Sequence, residues 1–205
     1  MQEIVKRILE QGNKAMLELK FSNPFELLIS ALLAPQTTDI QVNKSTERLF
    51  QKFKSPEDFS KLTVSQLKPY ISNINFWRTK AENIIKVCKE LVKRGGKLPE
   101  KIEDLLSLPG VGRKTANIVL GGAFGKPAII VDTHVKRLSL RMGLVGKECQ
   151  NADDIELELQ KIVPQDKWFA FSVALIEFGK KICKAKNPLC SDCVVSKNCP
   201  SAFKV

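Results

Sequence analysis

Residues 108–116 read Leu108-Pro109-Gly110-Val111-Gly112-Arg113-Lys114-Thr115-Ala116 and join two stretches of helical character. Two glycines one residue apart permit positive φ angles and a close approach of another backbone. The backbone amides of such a turn, at the N-terminus of a helix, can bind one DNA phosphate, and Arg113 would add positive charge. An ordinary turn between two helices uses glycine for the same steric reason, and the hairpin alone favours that simpler interpretation.

Helical periodicity runs outward from this hairpin through most of the chain, and strand signals are almost absent. We therefore predict an all-α fold with a C-terminal lobe held by a metal centre. Capping sequences mark helix starts at Asn23-Pro24-Phe25-Glu26, Ser55-Pro56-Glu57-Asp58 and Thr63-Val64-Ser65-Gln66. The predicted helices span residues 2–17, 24–34, 80–93, 113–123, 133–142, 152–163 and 166–181, and residues 127–131 are predicted to be extended. Helix 24–34 is apolar nearly all round, which predicts deep burial.

Composition narrows the class of protein. The 205 residues are 43% hydrophobic, which excludes wholesale disorder. The 33 Lys and Arg against 22 Asp and Glu give a net charge of +11, which favours a polyanionic partner such as nucleic acid, although solvated lysine faces give the same count. The sequence lacks both an apolar run of ~18 residues and a signal-peptide pattern. We expect a cytoplasmic protein without a membrane partner, in which six cysteines suggest metal rather than disulfides.

Two residues carry candidate chemistry. Lys114 lies in the first turn of the helix after the hairpin, where the helix dipole disfavours an ammonium, and partial burial would disfavour it further. A neutral lysine is a nucleophile able to form a Schiff base, whereas a solvated lysine or a phosphate contact is the simpler interpretation. Asp132 follows an apolar run and could act as acid, base or charge stabiliser, or cap the next helix, or do both. His134, the only histidine, is interpreted as structural.

Four cysteines lie close together near the C-terminus. Cys183, Cys190, Cys193 and Cys199 have the spacing Cys-x6-Cys-x2-Cys-x5-Cys, and Pro200 follows the last one. Four thiolates in so short a stretch can close around one metal centre. Structural zinc usually shows two Cys-x2-Cys pairs and only one is present, so the spacing favours an iron–sulfur cluster.

Taken together, these motifs resemble the bacterial endonuclease III family of helix-hairpin-helix DNA glycosylases. The likeness runs from about residue 20 to residue 199 and is specific because all the motifs occur in one order. It rests on residues 108–116, Val131-Asp132-Thr133-His134, the four cysteines, Lys80-Ala81-Glu82-Asn83-Ile84 and Gln36-Thr37-Thr38-Asp39.

The resemblance implies a two-lobed fold with the active site in the cleft between the lobes. A six-helix barrel domain, residues 20–127, would hold the hairpin. Residues 1–19 with residues 128–205 would form an iron–sulfur domain carrying a 4Fe–4S cluster. The partner would be damaged double-stranded DNA, bound by a monomer associated with the bacterial nucleoid.

The implied reaction is excision of oxidised pyrimidines, followed by strand cleavage through β-elimination. Lys114 would attack the sugar of an everted nucleotide, and Asp132 would assist it. Gln36 would enter the gap left by the base, with Phe76 and Trp77 as a wedge on the opposite strand. The other implied DNA contacts are Gly110, Gly112, Arg113, and Lys184 and Lys186 in a basic loop at about 184–189.

Two alternatives stay open. A monofunctional mismatch glycosylase of the same superfamily typically lacks a lysine after the hairpin, so Lys114 argues against it. A non-catalytic helix-hairpin-helix DNA-binding protein would explain the charge and the hairpin, but not Lys114, Asp132 and the cysteines together. Ala34-Pro35 and the bulky pair Phe76-Trp77 depart from the family pattern, which leaves the lesion and opposite-base preferences undetermined.

Overall fold

The structure, a computed structural model, describes residues 1–204 and is all-helical over that range, as predicted. Two short 3₁₀ turns, Cys190–Asp192 and Ser196–Asn198, lie in the cysteine segment, and a third, Gln165–Lys167, precedes the last α-helix. The α-helices are α1 (Gln2–Gln11), α2 (Pro24–Leu33), α3 (Asp39–Lys52), α4 (Pro56–Ser60), α5 (Val64–Ile71), α6 (Trp77–Lys93), α7 (Ile102–Leu106), α8 (Arg113–Phe124), α9 (Thr133–Arg141), α10 (Ala152–Ile162) and α11 (Trp168–Lys181).

The chain divides into two compact units. The contiguous unit, Leu17–Gly125, contains α2 to α8. The two-segment unit joins Met1–Met16 to the chain from Lys126 onward, and contains α1 and α9 to α11. Among the described residues, no helix is both long enough and apolar enough to cross a bilayer.

Helix α2 forms the centre of the contiguous unit. Every residue from Phe25 to Leu33 is buried, which confirms the deep burial expected from its sequence, and α2 packs against α6 and α8. Asn23 caps the helix by accepting a 3.0 Å hydrogen bond from the Glu26 backbone N–H. The Glu26 carboxylate in turn accepts from the Ser22 backbone N–H at 2.7 Å. The local cap thus fixes where the most buried helix begins.

The two-segment unit is built around α11, which packs against α1 and α9. Ile4, Val5 and Ile8 of α1 are buried in its core. The prediction that α1 extends to residue 17 is wrong, because the helix ends at Gln11. A Cβ atom at Gly12 would lie 2.2 Å from the Ala174 Cβ, so only glycine allows the end of α1 to approach α11 this closely.

Other helix bounds agree with prediction to within two residues, with one exception. Helix α6 begins at Trp77 rather than at residue 80, so the prediction of its start is wrong by three residues. Phe76, the N-cap, has a left-handed conformation with φ of 57°, which no helix residue adopts, and so it marks the start of the helix. Residues 127–131 have no regular secondary structure.

Candidate active site

The glycine hairpin joins α7 to α8. The backbone N–H of Val111 donates to the Leu108 carbonyl at 3.1 Å, and both side chains are buried, so the turn is anchored to the core. Gly110 has φ of +75°, and a Cβ atom there would lie 3.0 Å from the Asn83 side chain. This position therefore requires glycine on two grounds, backbone conformation and space.

Gly112 differs from Gly110, because it is the exposed N-cap of α8 and has a φ of −91°. No atom lies within 4 Å of a Cβ built at this position, outside its chain neighbours. The N-terminus of α8, the helix end that attracts anions, therefore begins at an exposed residue. Arg113 follows at the first position of the helix and is half-buried.

Lys114 is the second residue of α8 and is exposed. The side chain is not partly buried, because the buried side of α8 is formed by the next residues, Thr115 to Leu120. Those residues fix the helix against the core, and the lysine projects from its first turn. The lysine side chain is therefore accessible from solvent.

Asp132 is half-buried and belongs to the other unit. It follows the buried residues Ala128 to Val131, and the Ile130 backbone N–H donates to the Ser172 hydroxyl of α11 at 3.0 Å. Asp132 Oδ1 accepts a 2.8 Å hydrogen bond from the Val135 backbone N–H, so the carboxylate is the N-cap of α9. The capping role expected from sequence is confirmed, and it fixes the position of a carboxylate.

His134 has a structural environment. A Cβ atom at Gly179 would lie 2.8 Å from His134 Nδ1, and Arg137 Nη2 lies 3.2 Å from the same nitrogen. Arg137 also donates to the Gly179 and Cys183 carbonyls at 3.0 and 2.8 Å. Sequence reasoning missed this arginine, which links α9 to the end of α11.

Gln36 and Phe76 lie in two loops of the contiguous unit, and these loops contact each other through Asn75, the residue before Phe76. Both are exposed and both have left-handed backbones, with φ of 55° and 57°. The Asn75 side chain donates to the Gln36 carbonyl. Phe76 is 64% exposed and so is not a core residue, whereas Trp77 is half-buried with the Arg78 guanidinium 4.7 Å from its ring centroid.

Lys80 is a buried lysine that sequence reasoning did not single out as functional. Its ammonium donates to the Leu33 and Pro35 carbonyls at 2.8 and 2.6 Å, and to the Thr37 hydroxyl at 3.3 Å. Burial lowers the pKa of Lys80 to about 8. Its acceptors lie 43 to 47 residues away in the chain, which is why no local pattern reveals the contact.

The four predicted metal ligands, Cys183, Cys190, Cys193 and Cys199, line one small cavity of the two-segment unit. Arg141 lies beside it and donates to Cys183 Sγ at 3.6 Å, while its carbonyl accepts from Cys199 Sγ at 3.4 Å. The Phe203 backbone N–H lies 3.5 Å from Cys190 Sγ. Four sulfur donors around one space, with N–H donors beside two of them, fit a thiolate-bound iron–sulfur cluster. Over residues 1–204, no group of His, Cys, Asp or Glu is arranged to hold a single metal ion.

The remaining cysteines are separate from that cavity. Cys88 is buried in α6, and burial raises the pKa of its thiol. Cys149 belongs to the hydrophobic core of the two-segment unit. Each is accounted for by packing.

The segment after Cys183 exposes Lys184 and Lys186, as the expected basic loop requires. Arg141 fixes its backbone by donating to the Lys184 and Ala185 carbonyls at 2.8 and 2.9 Å. The lysine side chains therefore project from an anchored loop.

Comparison with known proteins gives the family. Residues 29–165 match the HhH-GPD superfamily base excision DNA repair protein family. Endonuclease III of Thermotoga maritima is 40% identical over 198 residues, which cover 96% of this chain and 89% of the relative. The chain belongs to the endonuclease III family. Endonuclease III trapped as a covalent intermediate with DNA superposes with a TM-score of 0.91 at 40% identity, over 98% of this chain and 97% of that one.

Membership of the endonuclease III family gives the enzyme class. The chain is a DNA glycosylase and AP lyase of base excision repair. The same fold also occurs in a thermostable thymine-DNA glycosylase, with a TM-score of 0.90 at 28% identity over 100% of this chain and 97% of the other. The fold alone therefore does not give the activity, and the lyase assignment follows from membership of the endonuclease III family.

Proposed function

We propose that this enzyme removes oxidised pyrimidines, such as thymine glycol, from duplex DNA and then cuts the strand 3′ to the lesion, with Lys114 as nucleophile and Asp132 as its partner. The observation that carries the proposal is an exposed lysine in the first turn of α8, directly after the glycine hairpin. The neutral amine is the form of a lysine that attacks.

In the proposed reaction, the damaged nucleotide is first turned out of the duplex, since its glycosidic bond is unreachable inside the stack. Lys114 Nζ attacks C1′, and the glycosidic bond breaks with its electron pair leaving on the base, which takes up a proton. The carboxylate of Asp132 accepts the proton that the lysine loses or stabilises the positive charge that develops on the sugar. The ring then opens to a Schiff base between Lys114 and C1′.

Strand cleavage follows from the same intermediate. The iminium acidifies the C2′ proton, and its removal expels the 3′ phosphate by breaking the C3′–O bond. Water then hydrolyses the Schiff base and releases Lys114. A monofunctional glycosylase would use water in the first step and form no covalent adduct, so Lys114 distinguishes the two chemistries.

The proposed DNA contacts place positive or polar groups on phosphates and apolar groups in the base stack. Gly110, Gly112 and Arg113 would bind one phosphate, and Lys184 and Lys186 would bind the backbone elsewhere. Gln36 would fill the gap left by the everted base. Phe76 and Trp77 would offset lost stacking on the opposite strand, and the high exposure of Phe76 supports this role.

We further propose that the four cysteines at 183, 190, 193 and 199 hold a 4Fe–4S cluster. When bound, such a cluster cross-links this short segment, which has little apolar core of its own, and so shapes the loop that carries Lys184 and Lys186. Arg141 already fixes that loop through two carbonyls. The enzyme would act as a monomer on chromosomal DNA in the cytoplasm.

Borohydride trapping on a duplex containing thymine glycol tests the reaction. We expect a covalent protein–DNA adduct with the wild type and none with Lys114→Gln, while Lys86→Gln, an exposed lysine on α6, behaves as the wild type. Base release without trapping would indicate the monofunctional enzyme. Binding without release would leave only a DNA-binding scaffold.

A further inference from the structure

The two loops that carry Gln36 and Phe76 share one buried cation. Gln36 lies between α2 and α3, in a turn closed by the Thr37 backbone N–H donating to the Ala34 carbonyl at 2.9 Å. Lys80 donates to Leu33, Pro35 and Thr37, on both sides of Gln36. One turn earlier in α6, the Lys80 backbone N–H donates to the Phe76 carbonyl at 3.1 Å. A single residue therefore contacts both loops.

The hydrogen bonds of the Lys80 ammonium can hold the turn around Gln36 in one position. An ammonium has three donors and the structure supplies three neutral oxygen acceptors, so the charge is solvated without an acidic partner among them. The Leu33 carbonyl ends α2, and the C-terminus of a helix favours a cation. Lys80 is 7% exposed, so its geometry is set by the core rather than by solvent.

Both loops also need such support. Gln36 and Phe76 have left-handed backbones, which non-glycine residues adopt only when their surroundings impose it. Asn75 adds a second cross-loop contact to the Gln36 carbonyl, and Ser45 Oγ of α3 donates to the Asn73 side chain at 3.0 Å. Lys80 is the charged member of this network and the one with the most contacts to the turn around Gln36.

We propose that Lys80 is a positioning residue for base eversion, which holds Gln36 and Phe76 at a fixed spacing so that both enter the duplex together. The proposal rests on the DNA-inserting roles proposed above for Gln36 and Phe76. Lys80 would not touch the reacting atoms. It acts earlier, on the step that exposes the glycosidic bond, and so its loss should affect eversion more than Lys114 chemistry.

The test compares Lys80→Met, which keeps the chain volume and removes the donors, with Lys89→Met, an exposed lysine on the same helix. Single-turnover excision of thymine glycol should fall about 10- to 100-fold in Lys80→Met, the scale of a misplaced positioning group. The fluorescence rise of 2-aminopurine placed opposite the lesion should be lost as well. Cleavage of a preformed abasic site, which costs less to unstack, should fall less than about 3-fold. Lys89→Met should match the wild type in all three.

A double variant decides whether the effect passes through Gln36. If it does, Lys80→Met combined with Gln36→Ala is no slower than the slower single variant. Multiplied losses, or a Lys80→Met enzyme with normal excision and fluorescence, would overturn the proposal. The proposal would also fail if Lys80→Met were slow while Gln36→Ala excised at the wild-type rate, because Gln36 would then have no role for Lys80 to support. A wild type that releases no base refutes the proposed function instead.

If Lys80→Met does not fold, Asn75→Ala provides a second test of the contact between the two loops. This variant keeps the buried lysine and removes only the exposed cross-loop donor to Gln36. We expect slower excision and a reduced fluorescence rise with unchanged helix content by circular dichroism. Normal excision in a folded Asn75→Ala enzyme would count against the coupling of the two loops.

Discussion

Asp132 Oδ1 accepts a 2.8 Å hydrogen bond from the Val135 backbone N–H, so one carboxylate both starts α9 and stands as the proposed catalytic acid–base group. These two roles can be separated by substitution. Asparagine caps helices as well as aspartate, so Asp132→Asn should lose only the charge interaction with the helix end, about 0.3–1 kcal/mol. Asp132→Ala should lose the cap too, at about 0.5–2 kcal/mol.

Activity should not follow that stability order. Both variants lack the carboxylate, so thymine glycol excision should fall by about 10²- to 10⁴-fold in each. Thermal unfolding and single-turnover excision measure the two effects. Normal excision by the Asp132→Asn enzyme would show that Asp132 caps α9 and has no role in catalysis.

The two hairpin glycines should respond differently to alanine. Gly110→Ala places a side chain at φ of +75° and 3.0 Å from Asn83, so it should destabilise the protein by about 1–2 kcal/mol or more. Gly112→Ala meets open space at an ordinary φ, so it should lose only the better helix-capping tendency of glycine, less than about 1 kcal/mol. If a phosphate binds the amides of α8, Gly112→Ala should nevertheless weaken DNA binding. Equal losses of unfolding temperature in the two variants would contradict this assignment.

The features that sequence predicted correctly are mostly local. The helix starts at Ser55 and Thr63 are capping boxes in the structure, in which the partners Asp58 and Gln66 lie three residues away. Hydrogen bonds over so short a separation leave a readable pattern, and so does the run of apolar residues that buries α2. The all-α class follows from summing such signals.

The features that sequence missed depend on contacts between distant residues. Helix α1 stops at Gln11 because Gly12 meets Ala174, and the turn at Gln36 is held by Lys80. The exposure of Lys114 depends on which side of α8 meets the core. The roles of Lys114 and Gln36 came from family resemblance, because a single lysine or glutamine has no local signature of its function.

Loss of a cluster ligand should remove colour and destabilise the C-terminal segment. Cys199→Ser should lower iron content and visible absorption, because a serine hydroxyl is a poor replacement for a thiolate ligand. Cys88→Ala, in the core of the contiguous unit, should keep both. Iron analysis, absorption spectra and limited proteolysis measure these changes. Colourless wild-type protein with stoichiometric zinc would contradict the 4Fe–4S assignment.

The exposed lysines of the basic loop should affect salt dependence rather than specificity. Each phosphate contact contributes about 0.9 to the slope of log affinity against log salt concentration. Lys184→Ala and Lys186→Ala should each reduce that slope by about 1, and weaken binding to lesion and undamaged duplexes equally. Lys161→Ala, whose lysine pairs with Glu158 at 2.6 Å on α10, is the matched control. Preferential loss of lesion binding would indicate a role beyond phosphate contact.

Lys80 should make the free energy of unfolding increase with pH in the alkaline range. Burial lowers its pKa from the ordinary 10.5 to about 8, a difference that corresponds to about 3 kcal/mol. Between those two values, the unfolded chain holds a proton that the folded chain has released, so stability rises with pH in this window. This contribution is fully present above pH 10.5 and is lost as pH falls through about 8.

Urea unfolding at about pH 7.5 and about pH 10 measures the effect, with the wild type gaining about 2–3 kcal/mol relative to Lys80→Met. Lys89→Met, with its lysine exposed on the same helix, should keep the wild-type dependence. Parallel curves for the wild type and Lys80→Met would mean that the ammonium titrates as if in water. The three oxygens around it would then offset the whole cost of burying the charge.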